Sequence, residues 1–547
     1  MSWEQRSTRS HITRLSITTS DMPSIFDEAR VIKVFAGAGC GKTHFIRQQI
    51  ANLLTDGISP IQIMYLLFNK KPAVAFRAEY KDIEDEELVW WGTHHSICKR
   101  LLKLGRNNIL NLPAWGKEQG FDLHTEEEIK ERGFDELGWD AIFASLQKKI
   151  YMANNNFSPE EERLLSALKE TEKEDNKYCH VRYLQKALNM DLFPVGVKYV
   201  FADEAQDNGK LQMDWLSRLR DRPDIKGILL AGDDKQAING FKGGSADLFL
   251  DFPADKTIEI TKTYRLPSKI LSLSNDVIGP VRKRSSLTIE TDVKFPGQIV
   301  HTNDISETAT LVQQALQDDK SVLVLCRNRC FIPYVESCYR ANEIPIASAW
   351  HERVHNVVSG LYKIKLADAL TEESFSAILP DYKDQKDGQL SVRAYWADGV
   401  VEKLRRGDFL NDKVMLNAYD TLRLAGSLPL DRACEIGFTP DFIEHVRSWS
   451  VPYEKWNMSP ANMFLFKTCT RRYGARYNTV RVDTIHSVKG EEADVVVLVA
   501  NVTNKTMIGE LDNEDDERRV WYVASSRAKD TLIISSVGSM TLKTKMV

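Results

Sequence analysis

The stretch Val31-Ile32-Lys33-Val34-Phe35-Ala36-Gly37-Ala38-Gly39-Cys40-Gly41-Lys42-Thr43 decides how this chain folds. Its first five residues are rich in β-branched and aromatic side chains and read as a buried strand. Three glycines then alternate with small residues. Lys-Thr opens a segment that puts Phe45, Ile46, Ile50, Leu53 and Leu54 on one side of a helix. A phosphate-binding loop requires strand, glycine-rich loop and helix in that order, because glycines let the backbone curl until its N–H groups and the helix N-terminus face phosphate oxygens. Lys42 is then the cation for the β- and γ-phosphates, and the Thr43 hydroxyl is a ligand for Mg²⁺. Ala36 stands where the strict pattern has its first glycine. A turn that merely packs a helix on a sheet leaves Lys-Thr after the third glycine unexplained.

A second signal lies far along the chain. Asp203 and Glu204 end the apolar run Tyr199-Val200-Phe201-Ala202, so both carboxylates sit at the carboxyl edge of a sheet, where open α/β sheets bind ligands. Asp203 is placed to hold Mg²⁺ through water, and Glu204 to polarise the attacking water. Alone, such a pair often caps a helix; with residues 36–43 it completes a hydrolytic site. Further β-branched runs alternate with amphipathic stretches, the signature of parallel sheets covered by helices on both faces. Residues 31–35, 62–68, 199–202 and 227–231 are expected to form one sheet, and residues 321–326, 494–499 and 531–534 another. Residues 104–192 are dense in charge, with interleaved Leu, Ile and Phe, and read as an inserted helical subdomain. Residues 353–477 read as a second insert, with no clear period to define its fold. The expected division is 1–103 with 193–278 for the first domain and 279–352 with 478–547 for the second.

Composition narrows the class. A chain of 547 residues has room for about three or four domains. The 73 basic and 77 acidic residues leave a formal charge of −4, so contact with nucleic acid must come from local basic surface and not from the whole molecule. Clusters at Lys99, Arg100, Lys103 and Arg106, and at Arg282, Lys283 and Arg284, are the candidates. No apolar run approaches bilayer length and no secretory core follows the N-terminus, so an intracellular, cytoplasmic protein without membrane contact is expected. The eight cysteines lack zinc-ligand spacing and read as reduced thiols. Residues 1–20 carry Arg6, Arg9 and Arg14 among Ser and Thr but also Glu4, and read as a mobile tail rather than a transit peptide.

The two motifs belong to a longer ordered series. Phe68-Asn69-Lys70-Lys71 with Arg77 follows the loop, then Gly92-Thr93-His94-His95-Ser96 and Asp203-Glu204-Ala205-Gln206-Asp207. Next come Gly232-Asp233-Asp234-Lys235-Gln236 with Phe241 and Gly243, and Thr263-Tyr264-Arg265. Thr484-Ile485-His486-Ser487-Val488-Lys489-Gly490-Glu491-Glu492 and the run from Glu517-Arg518-Arg519 to Ser526-Arg527-Ala528 close it. With this series the chain resembles the UvrD/Rep-type superfamily 1 helicases, whose own loop begins with Ala, as Ala36 does here. The acidic motif also resembles that of F-box DNA helicases and viral relatives.

The resemblance implies an α/β fold of two RecA-like parallel-sheet P-loop domains in tandem, each with an inserted subdomain. It implies ATP and Mg²⁺ as cofactors, and an ATP-driven motor that moves along single-stranded DNA and unwinds duplex, 3′ to 5′. Arg265 and Arg527 would reach the γ-phosphate from opposite sides, Gln236 would sense it, and Tyr264 would stack on adenine. Gly490 and Glu492 would contact the nucleotide. Phe68, Asn69, Thr93, His95, Phe241, Thr484 and His486 would contact the strand. Partners would be single-stranded DNA, duplex junctions and replication or repair proteins, with the chain a monomer or weak oligomer. A DNA-stimulated ATPase that displaces proteins without unwinding, and an RNA-directed motor, are the rival readings. Three features depart from the family: there is no glutamine in the setting that reads adenine, Asn239 replaces an aromatic, and Phe241 stands where Trp is common.

Overall fold

The computed structural model describes residues 12–15, 25–68, 76–77, 80, 83–125, 128, 138–347, 349–378, 395–397, 400, 412–448, 460–473, 478–538 and 543–544. The chain forms two compact units. One comprises Met1–Gln298, Asn504–Asp530 and Lys545–Val547, the other Ile299–Thr503 and Thr531–Thr544.

Seven strands build the sheet of the first unit: β1 (Ile12–Leu15), β2 (Val31–Ala36), β3 (Ile63–Leu66), β4 (Trp91–Gly92), β5 (Tyr199–Ala202), β6 (Gly227–Gly232) and β7 (Lys256–Ile260). Their order is β1-β7-β2-β6-β5-β3-β4, with parallel pairing throughout. Every residue of β2, β3 and β6 is buried, as expected of strands covered on both faces. Register positions the site. Phe35 pairs with Gly232 and Ala202 with Leu230, so the loops after β2, β5 and β6 leave the sheet side by side.

Three of these strands differ from expectation. β1 lies within the supposed mobile tail, where Ile12–Leu15 pair with Thr257 to Ile260 and extend the sheet past β7. β7 reads Lys-Thr-Ile-Glu-Ile, too polar and short to stand out, and β4 has two residues. Residues 104–192 hold the helices Leu112–Gln119, Trp139–Tyr151, Pro159–Glu174 and His180–Asn189. In Pro159–Glu174, Ser158 and Glu161 form a capping box, and the buried Glu161 also takes Ser145 and Lys149, each at 2.6 Å.

Also in the first unit, β8 (Lys262–Thr263) pairs in parallel with β9 (Glu290–Thr291). The second unit is built on β10 (Gln298–His301) and β11 (Val322–Cys326), a small antiparallel pair β12 (Ala369–Thr371) and β13 (Ser427–Pro429), then β14 (Arg481–Thr484), β15 (Ala493–Val499) and β16 (Ala528–Ser535). Its main sheet runs β10-β16-β15-β11-β14. The second insert is helical around the β12–β13 pair. Among the described residues its buried core is drawn from 357–469, with Tyr473 packed against it, Phe438 stacked on Phe442 at 4.1 Å and Arg447 bound to Asp368 and Asp431 at the surface.

Packing divides the chain differently from the strand pattern. Helix Glu514–Ser525, grouped by sequence with residues 478–547, belongs to the first unit. It lies along helix Ser268–Ile278: Ser525 meets Ser274 at 2.9 Å, and Arg518 donates to the carbonyl of Val277 at 3.1 Å. Arg519 donates to the carbonyls of Asp234 and Lys283.

Candidate active site

The loop after β2 takes its shape from two glycines in the left-handed region, Gly39 (φ +72°) and Gly41 (φ +81°). A Cβ on Gly39 would lie 2.4 Å from Cβ of Arg265 and 2.7 Å from Oγ1 of Thr263. This close approach fastens the loop to the segment 263–265, where Thr263 donates to the Ala38 carbonyl at 2.8 Å and the Tyr264 N–H to that of Gly39 at 3.0 Å. Arg265 is thereby set beside the loop, and Tyr264, 56% exposed, presents an open ring next to it. Burial and Asp233 push the Cys40 thiol up to about 12, so it is a packing group and not a nucleophile.

Helix Lys42–Thr55 starts at the loop, and its first two side chains meet the carboxylates after β5. Nζ of Lys42 is 2.6 Å from Oε1 of Glu204 and 3.4 Å from Oδ1 of Asp203. Burial would lower the lysine pKa, but the two carboxylates outweigh it and the shift is upward. Thr43 donates to Oδ2 of Asp203 at 2.9 Å, and the Glu204 N–H to Oδ1 at 2.8 Å. Burial raises the Asp203 carboxyl while Lys42 pulls it down. A hydroxyl and one carboxylate converging from neighbouring elements suit Mg²⁺ shared with phosphate, which prefers a few hard oxygens to a full protein cage. Among the described residues no cluster of three or more His, Cys, Asp or Glu is arranged as such a cage.

Glu204 has a left-handed backbone (φ 52°), a conformation costly for a non-glycine residue and one found at functional positions. Its carboxylate leads into a line of side chains. The amide of Gln206 donates to Oε2 of Glu204, and its oxygen accepts the Asp233 N–H at 3.1 Å. Oδ2 of Asp233 accepts from Gln236 at 2.6 Å, and Oε1 of Gln236 accepts from Nη2 of Arg527 at 2.7 Å. Arg527 is 1% exposed and also donates to the carbonyl of Val523 and to Ser526. Burial, then Arg265, lowers its pKa to about 10, which leaves it charged at neutral pH. Burial, then Asp234, raises Asp233 to about 6.

The structure therefore brings residues 36–43, Asp203, Glu204, Gln236, Tyr264, Arg265 and Arg527 together in the first unit. Phe68 and His95 share a different cavity, of about 630 Å³, with Phe143, Tyr151, His180 and Lys242 on its wall. His95 accepts from or donates to the Tyr151 hydroxyl at 2.6 Å; burial and His180 hold it down to about 4, so its ring is neutral. Thr93 caps helix His94–Leu101 through the Ser96 N–H. Phe241 lies in the short turn Gly240–Lys242, and Asn69 falls outside the described residues. Thr484, His486, Gly490 and Glu492 are in the second unit, Thr484 at the end of β14 with its hydroxyl 2.9 Å from that of Ser487. The basic run 282–284 is engaged with its own unit: Arg282 pairs with Asp515, Lys283 with Asp251, and Arg284 with the Gly279 carbonyl.

Sequence reasoning assigned no role to Gln206, Asp233, Thr263 or Tyr151. Asp233 had a visible signal, since it ends the apolar strand β6 as Asp203 ends β5. Tyr151 and His180 come from the helical insert, where nothing local marks them.

Adjacent carboxyl ends of a parallel sheet, a glycine loop, a lysine on two carboxylates and a buried arginine define a nucleotide-binding protein of the RecA-like P-loop class. The profile of the UvrD/REP helicase N-terminal domain matches residues 21–192 and 189–257, and that of the UvrD-like helicase C-terminal domain residues 465–539. The chain belongs to the UvrD-like superfamily 1 helicases. It is 25% identical over 274 residues to the ATP-dependent DNA helicase PcrA of Staphylococcus epidermidis, covering 45% of this chain and 37% of PcrA. PcrA of Staphylococcus aureus is 24% identical over 275 residues, with the same coverages of 45% and 37%. YjcD of Bacillus subtilis is 23% identical over 341 residues, 56% of this chain and 44% of its own. The chain thus spans less than half the length of the curated relatives it matches. Among the described residues no helix is long and apolar enough to cross a membrane.

Proposed function

We propose that the chain is an ATP-dependent DNA helicase that moves along single-stranded DNA from 3′ to 5′ and separates duplex at junctions. One observation carries this reading: the hydrogen-bonded line from Thr43 and Asp203 through Lys42, Glu204, Gln206, Asp233 and Gln236 to Arg527. It unites a metal-ligand pair, a phosphate cation, a base and an arginine, the set that phosphoryl transfer to water employs. Thr43 and Asp203 would hold Mg²⁺, which would supply charge neutralisation at the phosphates. Lys42 exchanges its carboxylates for phosphate oxygens, Glu204 receives the proton of the attacking water, and Arg265 and Arg527 meet the charge that develops on the γ-phosphoryl group. Tyr264 offers adenine a stacking face.

The cavity containing Phe68 and His95 offers a base aromatic faces to stack on, since Phe68, Phe143 and Tyr151 line it and burial keeps the His95 ring neutral. Phe68→Ala should weaken binding of a short oligothymidylate by roughly 1 to 3 kcal/mol in fluorescence anisotropy, the usual contribution of one base stack. Unchanged affinity would remove this ring from the strand path. Movement requires ATP and strand to favour two states of the protein unequally. Unwinding assays on duplexes with a 3′ or a 5′ tail test activity and direction together. Separation is expected only with the 3′ tail. Strand-stimulated hydrolysis without separation on either substrate would replace the helicase reading with that of a translocating ATPase.

A further inference from the structure

Gln206 is wholly buried in the short turn Ala205–Asp207, two residues beyond Glu204, and both ends of its amide are committed. The orientation of that amide is not arbitrary. Its oxygen faces the backbone N–H of Asp233, a donor that only an acceptor can satisfy, so the NH₂ must point to Oε2 of Glu204. The space is closed behind it, for a Cβ on Gly232 would stand 2.6 Å from the Gln206 oxygen. Glu204 is thus gripped at Oε1 by Lys42 and at Oε2 by Gln206. The two grips differ in permanence. Lys42 is the group phosphate draws away, whereas Gln206 is anchored to the β6 edge through Asp233.

We propose that Gln206 is a positioning residue for ATP hydrolysis: it fixes the Glu204 carboxylate by Oε2 and so leaves Oε1 as the oxygen that receives the water proton. This rests on the hydrolytic reading of Glu204 given above. As the water oxygen bonds to the γ-phosphorus, the bridging P–O bond breaks with its electron pair leaving on ADP, and the water proton passes to Oε1. Gln206 touches neither nucleotide nor water. It acts by holding the base at one angle, and the side chain of Asp233, whose backbone it grips, holds Gln236. The base and the γ-phosphate sensor are therefore fixed to a common point.

The test is steady-state, strand-stimulated ATPase of the full chain with Gln206→Leu, Glu204→Gln and the double variant, alongside affinity for a non-hydrolysable ATP analogue. Gln206→Leu should lower kcat about 10²-fold, the lower end of what a general base contributes, with KM and analogue affinity unchanged. The double variant should be no slower than Glu204→Gln alone, because a residue that acts only through the base has nothing left to act on. Gln206→Asn, which draws the amide back by one methylene and out of reach of Glu204, should behave as Gln206→Leu does and serves if leucine is not tolerated. Wild-type kcat in either variant, or a fall in kcat matched by a fall in analogue affinity, would overturn the proposal. So would an equal further slowing on the Glu204→Gln background. If Glu204→Gln itself turned over normally, the failure would instead be that of the hydrolytic reading.

Discussion

Lys42→Ala is expected to lower ATP turnover by about 10³-fold or more, as removal of a preorganised charge donor at a phosphoryl group does. Strand affinity should stay close to that of the parent chain, because Lys42 is remote in role from the cavity containing Phe68. A second effect follows from the nucleotide-free geometry. Lys42 lies 2.6 Å from Glu204 and 3.4 Å from Asp203, and its loss takes a counter-ion from a buried aspartate. Breaking a buried ion pair from one side typically costs about 3 to 5 kcal/mol; the 37% exposure of the Glu204 side chain puts this case at the low end. The melting midpoint of the first unit should therefore fall together with the rate. ATPase assays, anisotropy with a labelled oligonucleotide and calorimetry measure the three consequences separately. Normal turnover in this variant would remove the loop from the chemistry.

Arg527→Ala should reduce kcat by about 10³ to 10⁵, the range over which an arginine that meets γ-phosphoryl charge acts, while nucleotide binding changes only a few-fold. Arg527→Lys should not recover the rate. The guanidinium uses Nε on the Val523 carbonyl and Nη2 on Gln236 and Ser526, a forked pattern that a single ammonium on a flexible stem does not reproduce. Single-turnover hydrolysis beside analogue binding separates the two quantities. An arginine that merely packs would leave kcat near the parent value and lower the melting midpoint instead.

The strands that carry the site were legible because they are largely buried and read as mainly apolar runs: β2, broken only by the buried Lys33, β5 and β6. β1, β4 and β7 were not, being short or half polar; their strand character comes from neighbours in the sheet, which a local window does not contain. The same contrast holds in the site. The loop, Asp203 and Glu204 announce themselves by spacing. The link from Gln206 to Asp233 spans 27 residues and that from Gln236 to Arg527 spans 291, so neither leaves a periodic trace. Helix Glu514–Ser525 shows a related limit. Its amphipathic face says that it must be covered but not by which unit, and the partner, helix Ser268–Ile278, lies more than two hundred residues away. The basic run 282–284 also has neighbours that local charge does not reveal: Asp515 and Asp251 of its own unit pair with Arg282 and Lys283.

Among the described residues, the buried cluster of the insert around β12 and β13 is drawn from positions 357–469, with Tyr473 touching both it and the core of the neighbouring sheet. One continuous stretch of chain thus closes on itself, much as a knot is tied in a single length of cord.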